Sequence, residues 1–596
     1  MPVSIPHLFF KAAEKNKSRV ALGYKHGGKF QGEITWSEWA DEVRQTACGL
    51  ASIGIQQGDR LGILAENSPS WTYADLGVLT LGAVVVPLYP TLSAQDIFFI
   101  IKDSGLKAIF VSTPEQFEKL RQFERQIHII TFYNHAPSHA TSLSVLQAHG
   151  HTYTGNRPEF ISKCLENVSG ESLATLIYTS GTTGVPKGVM LTHSNFIENY
   201  EGASKRISIS ESDVALSFLP LSHVFERLAG YYFMAFSGAR IVYAESMQTV
   251  AEDIKHVRPT VAAAVPRFYE KVYSVIQAKL QKGGAVAQKL FSSAFSVRRQ
   301  IRNLEDIGQS VPFYLTFLDL AFDKIVFSKI RQGVGGQIRF FISGGAPLSK
   351  ELAEFFNLAG ILILEGYGLT ETSPVIAVNT VEEHRFGTVG KVLPNVNAKI
   401  ADDGEILTSG PCVMKGYWNN PAATAEVLQD GWFHTGDIGE FDAEGYLRIT
   451  DRKKDLIVTA GGKKVAPQKL EALVMRDPLF SQVVALGDKK PYIVALLVLN
   501  RTIAMEEAAK LNLTGITYED LIQNSRFREC VLSRVHQQTT ELARFESIKA
   551  VAIVSQDFSV QGGELTPTLK VKRRFVMDKY AVNIDALYQQ GVAHTE

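Results

Sequence analysis

The hydrophobic pattern of the chain alternates between short apolar runs and longer segments whose apolar residues have helical spacing. The short runs are rich in β-branched residues and include LATLIYT (173–179), ARIVYA (239–244), QIRFFIS (337–343) and ILILEGY (361–367). Such runs predict buried strands, and strands that alternate with helices pair in parallel. The pattern therefore predicts an α/β protein with largely parallel sheets.

The longest apolar stretch, LGVLTLGAVVVPLY at 76–89, is too short for a membrane span and is interrupted by two glycines and a proline. We interpret it as a buried helix that leads into a buried strand. The amino terminus lacks a basic start followed by an apolar segment and a cleavage site, so no signal peptide is predicted.

The pattern of apolar and polar residues changes near residue 451, where the charged segment DRKKDL is followed by a pair of glycines and a new series of predicted helices and strands. We place a hinge and a second domain there. The predicted organisation is a large N-terminal domain of layered sheets (1–450), a hinge (451–456) and a small, mobile C-terminal α+β domain (457–596). A helix-rich insertion at 275–335 could wall a pocket.

Composition narrows the class of protein. With 596 residues, 45% apolar and 20% charged, the chain is long enough for two or more domains and far from the disordered class. Its 61 basic residues balance 61 acidic ones, so the chain has no net charge that would attract a nucleic acid or an anionic membrane over long distances. The four cysteines are far apart and form no CxxC pair, which argues against zinc or disulfides and suits a reducing cytoplasm.

A loop rich in glycine and hydroxyl residues, YTSGTTGVPKGV at 178–189, directly follows the apolar run LATLI. Its glycines let backbone N–H groups turn toward a phosphate, its hydroxyls add donors and its lysine adds positive charge. The residues concerned are Thr179, Ser180, Gly181, Thr182, Thr183, Gly184, Lys187 and Gly188. A glycine follows the lysine, so this is not a Walker A motif. A solvent-exposed turn is the alternative, but the position behind a buried strand favours polyphosphate binding.

The loop resembles the phosphate-binding signature of the acyl-adenylate-forming superfamily, which includes acyl-CoA synthetases, luciferases and peptide-synthetase adenylation domains. Further motifs of that family follow in the same order: LPLSHVFER (219–227), ISGGAPLS (342–349), EGYGLTETSP (365–374), WFHTGDIG (432–439) and DRKKDLIVTAGGKKVAP (451–467). The resemblance covers nearly the whole chain. It implies an enzyme that uses ATP to form an acyl-AMP and then passes the acyl group to coenzyme A.

The segment EGYGLTET should project from the carboxyl end of a parallel sheet, where open α/β folds bind ligands. Tyr367 offers a flat face for adenine and Glu371 a hard oxygen for Mg²⁺, with a core tyrosine and an exposed turn glutamate as the alternative. By resemblance, Thr182 and Glu371 form the magnesium pair. The other nucleotide-binding residues implied in this part of the chain are Gly344, Gly345, Ala346, Gly368 and Thr370.

Two further motifs are ambiguous when each is taken alone. Asp437 follows a glycine in a predicted tight turn and could accept hydrogen bonds from both ribose hydroxyls, with Arg452 as a complementary donor, although Gly-Asp pairs are typical of plain turns. Residues 344–346 would bring the backbone close to adenine, but a simple strand-to-helix turn is equally consistent with them. Because both motifs stand in the order that is typical of the family, nucleotide binding is favoured over a plain turn in both cases.

By resemblance, Lys570 in GGELTPTLKVKRR (562–574) contacts both the substrate carboxylate and the α-phosphate; a solvated basic tail is the alternative. The family usually has Gly where Leu569 stands, and the long-chain branch often lacks that Gly. His223 has Glu226 three residues on but no third ligand nearby, so it is not a metal site. A lone histidine is usually structural, whereas the resemblance places this one where the acyl channel meets the adenylate.

The resemblance also implies two orientations of the C-terminal domain about Lys454. The first presents Lys570 for adenylation, and the second presents the loop of Gly461 and Gly462 to the pantetheine thiol.

The segment VPRFYEKV (265–272) and the helical insertion resemble those of long-chain fatty acyl-CoA synthetases, which implies a long apolar tunnel. Fatty acid, ATP and coenzyme A are then the substrates and Mg²⁺ is the cofactor. The nearest alternative passes the acyl group to a carrier protein; alternatives of other classes are a catalytically idle nucleotide- or lipid-binding protein and a membrane-surface scaffold. We expect a cytoplasmic protein without a nucleic-acid partner, while peripheral contact with the inner face of a membrane and a homodimer stay open.

Overall fold

Two large sheets of mainly parallel strands, together with the helices that connect the strands, make up most of the first 400 residues. The computed structural model describes residues 3–26, 28–155, 157–180, 186–453, 455–460, 463–540, 542–543, 545–559, 561–566 and 571–590. The strands are β1 Val20–His26, β2 Lys29–Thr35, β3 Arg60–Leu64, β4 Val84–Leu88, β5 Ala108–Val111, β6 His128–Thr131, β7 Ala140–Ser142, β8 Leu173–Ser180, β9 Pro186–Thr192, β10 Val214–Ser217, β11 Arg240–Tyr243, β12 Val261–Ala264, β13 Phe340–Ser343, β14 Leu362–Gly368, β15 Val375–Val378, β16 Lys391–Val392, β17 Asn397–Ile400, β18 Glu405–Ser409, β19 Gly416–Tyr417, β20 Leu428–Gln429, β21 Trp432–Phe441, β22 Leu447–Arg452, β23 Ile457–Val458, β24 Lys464–Val465, β25 Phe480–Leu486, β26 Ile493–Leu499 and β27 Ile548–Val554.

Helices connect these strands. The α-helices are α1 Ile5–Lys15, α2 Trp36–Ser52, α3 Pro69–Thr80, α4 Ala94–Ser104, α5 Pro114–Glu118, α6 Leu143–Gly155, α7 Phe160–Asn167, α8 His193–Ser204, α9 Phe233–Phe236, α10 Val250–Val257, α11 Pro266–Lys282, α12 Gly284–Asp306, α13 Phe313–Phe322, α14 Ser328–Gln332, α15 Lys350–Leu358, α16 Pro421–Val427, α17 Pro467–Val474, α18 Arg501–Lys510, α19 Tyr518–Leu521, α20 Ser525–Gln538, α21 Arg573–Lys579 and α22 Ala581–Gln590. Short 3₁₀ segments cover Arg121–Phe123 and Thr370–Thr372, and π-helical segments cover Glu226–Tyr232 and Asp323–Phe327.

The first large sheet has the strand order β16-β15-β14-β13-β12-β10-β11-β1-β2. Its strands from β14 to β1 along this order run parallel, and antiparallel strands flank them at both edges. The second has the order β19-β9-β8-β4-β3-β5-β6-β7 and is parallel from β8 to β7. The predicted α/β class with largely parallel sheets is confirmed.

Helix α3 shows why a continuous apolar segment forms a buried helix here. Ser68 caps its N-terminus, Pro69 occupies its first turn, and its residues from Trp71 to Thr80 are buried. The chain then turns at Gly82, whose φ of +71° is in the left-handed region that favours glycine, and enters the fully buried strand β4. The predicted helix-to-strand transition at 76–89 is confirmed, and so is the helix-rich insertion, which consists of α11 to α14.

Two compact units divide the chain. The first comprises Met1–Lys399, Leu407–Thr435 and Phe441–Arg448, and the second comprises Ile400–Ile406, Gly436–Glu440 and Ile449–Glu596. The second unit contains a three-stranded sheet, β25-β26-β27, whose apolar residues are buried on both faces against α17, α20 and α22. The predicted domain boundaries at 450 and 456 stay a prediction. Among the helices in the described parts of the chain, none is long and apolar enough to cross a membrane.

Candidate active site

Four parallel strands of the first sheet, β10, β12, β13 and β14, end at the same edge. The motif with His223 follows β10, VPRFYEKV follows β12, Gly344 follows β13, and Tyr367 is the second-last residue of β14. Carboxyl ends of parallel strands meet at one edge of a sheet, which is where open α/β folds place ligands. The structure therefore brings these four predicted segments together.

The turn after β13 begins at the buried Gly344 and reaches the surface at Gly345. A Cβ on Gly344 would lie 3.1 Å from Cζ of Phe225, tighter than ordinary van der Waals contact. Gly345 has a φ of +83°, and Ala346 is exposed to solvent. The lack of a side chain at Gly344 therefore leaves room for the Phe225 ring, and contact of this turn with adenine stays a prediction.

The connection after β14 is tight and requires glycine at position 368. The backbone N–H of Leu369 donates to the carbonyl oxygen of Pro374 at 3.1 Å, and a Cβ on Gly368 would lie 1.7 Å from that same oxygen. Thr370 opens the 3₁₀ turn that follows, and the side chain of Thr372 caps that turn by donating to the carbonyl of Leu369 at 3.1 Å. This compact turn fixes the position of the residue between the two threonines, Glu371.

The carboxylate of Glu371 accepts a hydrogen bond of 2.9 Å from the hydroxyl of Tyr417. On the other side of the tyrosine, Nζ of Lys187 lies 5.0 Å from the ring centre, within cation–π range. Burial, reinforced by the Glu371 charge, raises the pKa of Tyr417, so the phenol stays a donor. Tyr417, which sequence reasoning missed, therefore links the predicted phosphate lysine to the predicted magnesium carboxylate.

The strand before the phosphate loop is β8, as predicted, and it forms an antiparallel hairpin with β9. Thr179 lies opposite Lys187 in this hairpin, and Ser180 lies opposite Pro186. The next strand on that side, β19, places Tyr417 opposite Val189. The hairpin thus places Lys187 on β9 between Thr179 on β8 and the strand of Tyr417, β19.

His223 lies in the turn that follows β10, and Asn67 holds that turn. The Asn67 side chain donates to the carbonyl of Leu219 at 2.6 Å and accepts from the N–H of Leu221 at 2.9 Å. The backbone N–H of Phe225 donates to Nδ1 of His223 at 3.2 Å. Because Nδ1 accepts, the neutral imidazole carries its proton on Nε2.

Asp437 and Arg452 form an ion pair within the second unit, and their predicted contact with the ribose stays a prediction. Nε of Arg452 donates to Oδ1 of the buried Asp437 at 3.1 Å. The prediction that Asp437 lies in a tight turn was wrong, because Asp437 is inside the strand β21. Gly436 has a φ of +72° and its N–H donates to Glu405 at 2.8 Å, so the glycine bends the strand without ending it.

Comparison with known proteins shows the family to which the chain belongs. The AMP-binding enzyme family matches residues 9–418, and the AMP-binding enzyme C-terminal domain matches residues 454–591. The chain belongs to the AMP-binding enzyme family. Among its relatives, the long-chain-fatty-acid–CoA ligase FadD15 of Mycobacterium bovis is 36% identical over 94% of this chain and 92% of its own length. The long-chain-fatty-acid–CoA ligase ACSBG1 of Homo sapiens is 31% identical over 99% of this chain and 86% of its own.

Solved structures share the fold of this AMP-binding enzyme. The adenylation domain of a carboxylate reductase from Mycobacterium chelonae superposes with a TM-score of 0.75 at 23% identity, covering 98% of this chain and 91% of that one. The anthranilate CoA ligase AuaEII in complex with anthranoyl-AMP gives a TM-score of 0.72 at 18% identity, covering 97% of each chain.

Part of the predicted site of this AMP-binding enzyme lies outside the described residues. The residues concerned are Gly181, Thr182, Thr183, Gly184, Lys454, Gly461, Gly462 and Lys570. Their roles stay predictions.

The AMP-binding enzyme also contains a buried charge pair behind its site, which sequence reasoning missed. Arg227, the last residue of the LPLSHVFER motif, donates to Asp75 on α3 and, at 2.8 Å, to the hydroxyl of Thr175 on β8. The hydroxyl of Tyr232 donates to the second oxygen of Asp75 at 2.8 Å, and Arg227 and Asp75 are fully buried. This network connects the strand of the phosphate loop with the motif that carries His223.

Next to Arg227 lies a buried carboxyl group, that of Glu226. The hydroxyl of Ser217 donates to its Oε1 at 2.6 Å, whereas its Oε2 has no hydrogen-bond partner among the described residues. The side chain fills the space beside Gly230, where a Cβ would lie 2.3 Å from Oε1. Burial raises the pKa of Glu226 to about 8, so the group holds a proton at neutral pH.

The raised pKa of Glu226 predicts a pH-dependent stability. Between the ordinary value of 4.5 and about 8, the folded protein holds a proton that the unfolded chain releases. Relative to Glu226→Gln, the wild type should therefore lose about 1.4 kcal/mol of unfolding free energy per pH unit as the pH rises through this window. Urea unfolding of both proteins at several pH values measures the difference. Glu201→Gln, on the exposed side of α8, is the control, and a difference that does not change with pH would contradict the prediction.

Proposed function

We propose that the chain activates a long-chain fatty acid with ATP to give acyl-AMP and pyrophosphate, and then transfers the acyl group to coenzyme A to give acyl-CoA and AMP. Near-full-length similarity to relatives named long-chain-fatty-acid–CoA ligases carries this proposal. The convergence of Lys187, Tyr417 and Glu371 at the edge of the site supports it. We propose the cytoplasm as the compartment, in keeping with the dispersed cysteines.

The first half-reaction requires that an anionic carboxylate approach an anionic triphosphate. Catalysis of this step depends on positioning and charge neutralisation more than on proton transfer. In our proposal Lys187 and the N–H and hydroxyl donors of the phosphate loop bind the leaving pyrophosphate, and Lys570 bridges the carboxylate and the α-phosphate. Asp437, oriented by Arg452, accepts hydrogen bonds from the ribose hydroxyls. His223 lies at the junction of the acyl chain and the adenylate.

The residues at the edge of the site fit a magnesium ion. Glu371 offers a carboxylate, which is the kind of hard oxygen ligand that Mg²⁺ prefers, and the hydroxyl of Tyr417 donates a hydrogen bond of 2.9 Å to its Oε1. We propose that Glu371 and Thr182 would hold Mg²⁺, which would neutralise phosphate charge when bound.

The second half-reaction requires that a thiol reach the acyl carbonyl after pyrophosphate has left. We propose that rotation about Lys454 removes Lys570 and presents Gly461 and Gly462 to the pantetheine arm, because glycines leave room for a narrow chain. One site then serves both reactions.

One assay in two stages tests the proposed function. Exchange of labelled pyrophosphate into ATP should require a fatty acid, and a chain-length series should give the highest exchange with long chains. Addition of coenzyme A should then yield acyl-CoA. Exchange followed by acyl transfer to a carrier protein in place of coenzyme A would replace the proposed acceptor. ATP binding without exchange for any acid would overturn the proposal in favour of an idle nucleotide-binding protein.

Glu371→Gln is expected to slow adenylation about 10- to 100-fold and to shift its magnesium titration to higher concentration, because a neutral amide is a weaker ligand for a hard cation. Initial rates of pyrophosphate exchange over a range of Mg²⁺ concentrations measure both effects. The exposed Glu382→Gln is the matched control and should behave like wild type. An unchanged magnesium titration in Glu371→Gln would remove this carboxylate from the metal site.

A further inference from the structure

Tyr417 contacts two groups of opposite charge at the candidate site. Nζ of Lys187 lies 5.0 Å from the centre of its ring, and its hydroxyl donates to Oε1 of Glu371 at 2.9 Å. Tyr417 is buried, whereas Lys187 and Glu371 are each partly exposed. One buried side chain therefore lies against both the cation and the carboxylate that the proposed function assigns to phosphate and metal.

The ring holds the ammonium group of Lys187 without neutralising it. In the described part of the chain no carboxylate forms an ion pair with Lys187, and the ring of Tyr417 contacts the charged group directly. The negative face of an aromatic ring attracts a cation, but the ring has no net charge. The positive charge of the lysine therefore remains for an anionic ligand.

The hydroxyl of Tyr417 acts on Glu371 in a similar way. A phenol is uncharged at neutral pH, and as a hydrogen-bond donor it fixes one carboxylate oxygen without cancelling the negative charge. A lysine or arginine in this place would instead form an ion pair with Glu371 and would weaken its attraction for a metal ion. Tyrosine is thus suited to place an acid and a base in one site while both keep their charge.

The backbone around Tyr417 is bound to both partners independently of its side chain. The N–H of Met414 donates to the carbonyl of Glu371 at 2.8 Å, and the N–H of Trp418 donates to the carbonyl of Gly188, next to the lysine, at 2.7 Å. Neither bond requires the phenol. A change confined to the Tyr417 side chain should therefore leave the neighbouring strands β19 and β9 paired.

We propose that Tyr417 is a positioning residue for adenylation: its hydroxyl fixes the orientation of the Glu371 carboxylate, which would bind magnesium, and its ring holds the Lys187 ammonium, which would bind phosphate. The inference rests on the proposed function and deepens it, because it assigns a role to a residue outside the phosphate loop and the magnesium pair. Loss of the hydroxyl should weaken only the contact with the metal, whereas loss of the ring should weaken the contact with phosphate as well.

Calorimetric titration of the full chain with ATP, without fatty acid or coenzyme A, separates the two contacts. A series in EDTA measures the contact with phosphate, and a series in excess Mg²⁺ adds the contact with the metal. Tyr417→Phe keeps the ring, so it should bind ATP like wild type in EDTA but about 10-fold more weakly in Mg²⁺. Tyr417→Leu lacks both ring and hydroxyl and should bind ATP about 3- to 10-fold more weakly in EDTA as well.

A double variant tests whether the hydroxyl acts through Glu371. In Mg²⁺, Tyr417→Phe should cause no further loss of ATP affinity when Glu371→Gln is already present, because the carboxylate that the hydroxyl orients is then absent. Tyr492→Phe is the matched control: its hydroxyl donates one hydrogen bond of 3.1 Å to the carbonyl of Leu587, within the second unit, and both affinities should match wild type. Unchanged thermal unfolding should show that all variants are folded.

Wild-type affinity of Tyr417→Phe in Mg²⁺ would overturn the proposal, and so would losses in Tyr417→Phe and Glu371→Gln that add in the double variant. Equal losses of Tyr417→Phe and Tyr417→Leu in EDTA would overturn it too, since they would assign the tyrosine to packing alone. The proposed function fails separately: wild type that binds ATP more tightly in Mg²⁺ but supports no pyrophosphate exchange with any fatty acid would refute the ligase activity, while the affinities of the variants would still decide the role of Tyr417.

Discussion

Lys570→Ala is expected to slow the formation of acyl-AMP about 100- to 1000-fold, because in the proposed mechanism this lysine bridges the carboxylate and the α-phosphate in the transition state. Conversion of a supplied acyl-AMP to the thioester should be nearly unchanged, since in the proposed mechanism this lysine acts only before pyrophosphate leaves. Single-turnover measurements of the two half-reactions, made separately on the same preparation, give both rates.

The matched control for Lys570→Ala is Lys572→Ala, which removes an exposed lysine two positions along the same segment. We expect it to leave both rates unchanged. Equal losses in the two half-reactions of Lys570→Ala would contradict a role limited to adenylation, and a selective loss in Lys572→Ala would transfer the role to that residue.

The sequence was sufficient to predict that the segment of Tyr367 lies at the carboxyl end of a parallel sheet. Strand β13 is short and buried throughout, and β14 begins with the apolar residues LIL, which is typical of strands buried on both faces of a parallel sheet. In the structure they are neighbours, with Ser343 opposite Glu365. Because both strands end at the same edge, Gly344 and Tyr367 could be placed there before any contact was known.

The contact between Tyr417 and Glu371 could not be predicted from local pattern. Tyr417 belongs to β19, which has two residues and is too short to show any periodicity. Its position depends on pairing with β9, more than 200 residues earlier in the chain. Pairing between such distant segments is decided by the packed fold and leaves no mark on either segment alone.

The error at Asp437 has a different cause. Strand β21 buries alternate residues, and those that face inward include Phe433, Thr435, Asp437 and Gly439. Polar and glycine residues at the inward positions hide the alternation of apolar and polar residues that identifies a half-buried strand. The sequence therefore resembled a turn, and only the ladder partners of β21 reveal the strand.

The buried ion pair of Arg227 and Asp75 is the clearest example of a contact that the amino-acid sequence does not predict. Arginine and aspartate are rarely buried, yet both side chains have no exposed surface here. Burial opposes the charge of Arg227, but the carboxylate of Asp75 holds the pKa of the guanidinium above its ordinary value. Hydrogen bonds to Tyr232 and Thr175 satisfy further donors of the arginine. The buried charges are therefore stabilised only when all of these partners are present.

Arg227→Met is accordingly expected to lower the free energy of unfolding by about 3–5 kcal/mol, because it leaves the Asp75 carboxylate buried without its counter-ion. Arg302→Met is the matched control, since the Arg302 and Glu305 side chains are both about half exposed, and loss of such a pair should cost about 0–1 kcal/mol. The double variant Asp75→Leu and Arg227→Met removes both charges and should be less destabilised than the sum of the two single variants by about 2 kcal/mol. Urea unfolding of the four proteins in this cycle measures the coupling, and strictly additive losses would show that Asp75 does not depend on Arg227 for its stability in the core.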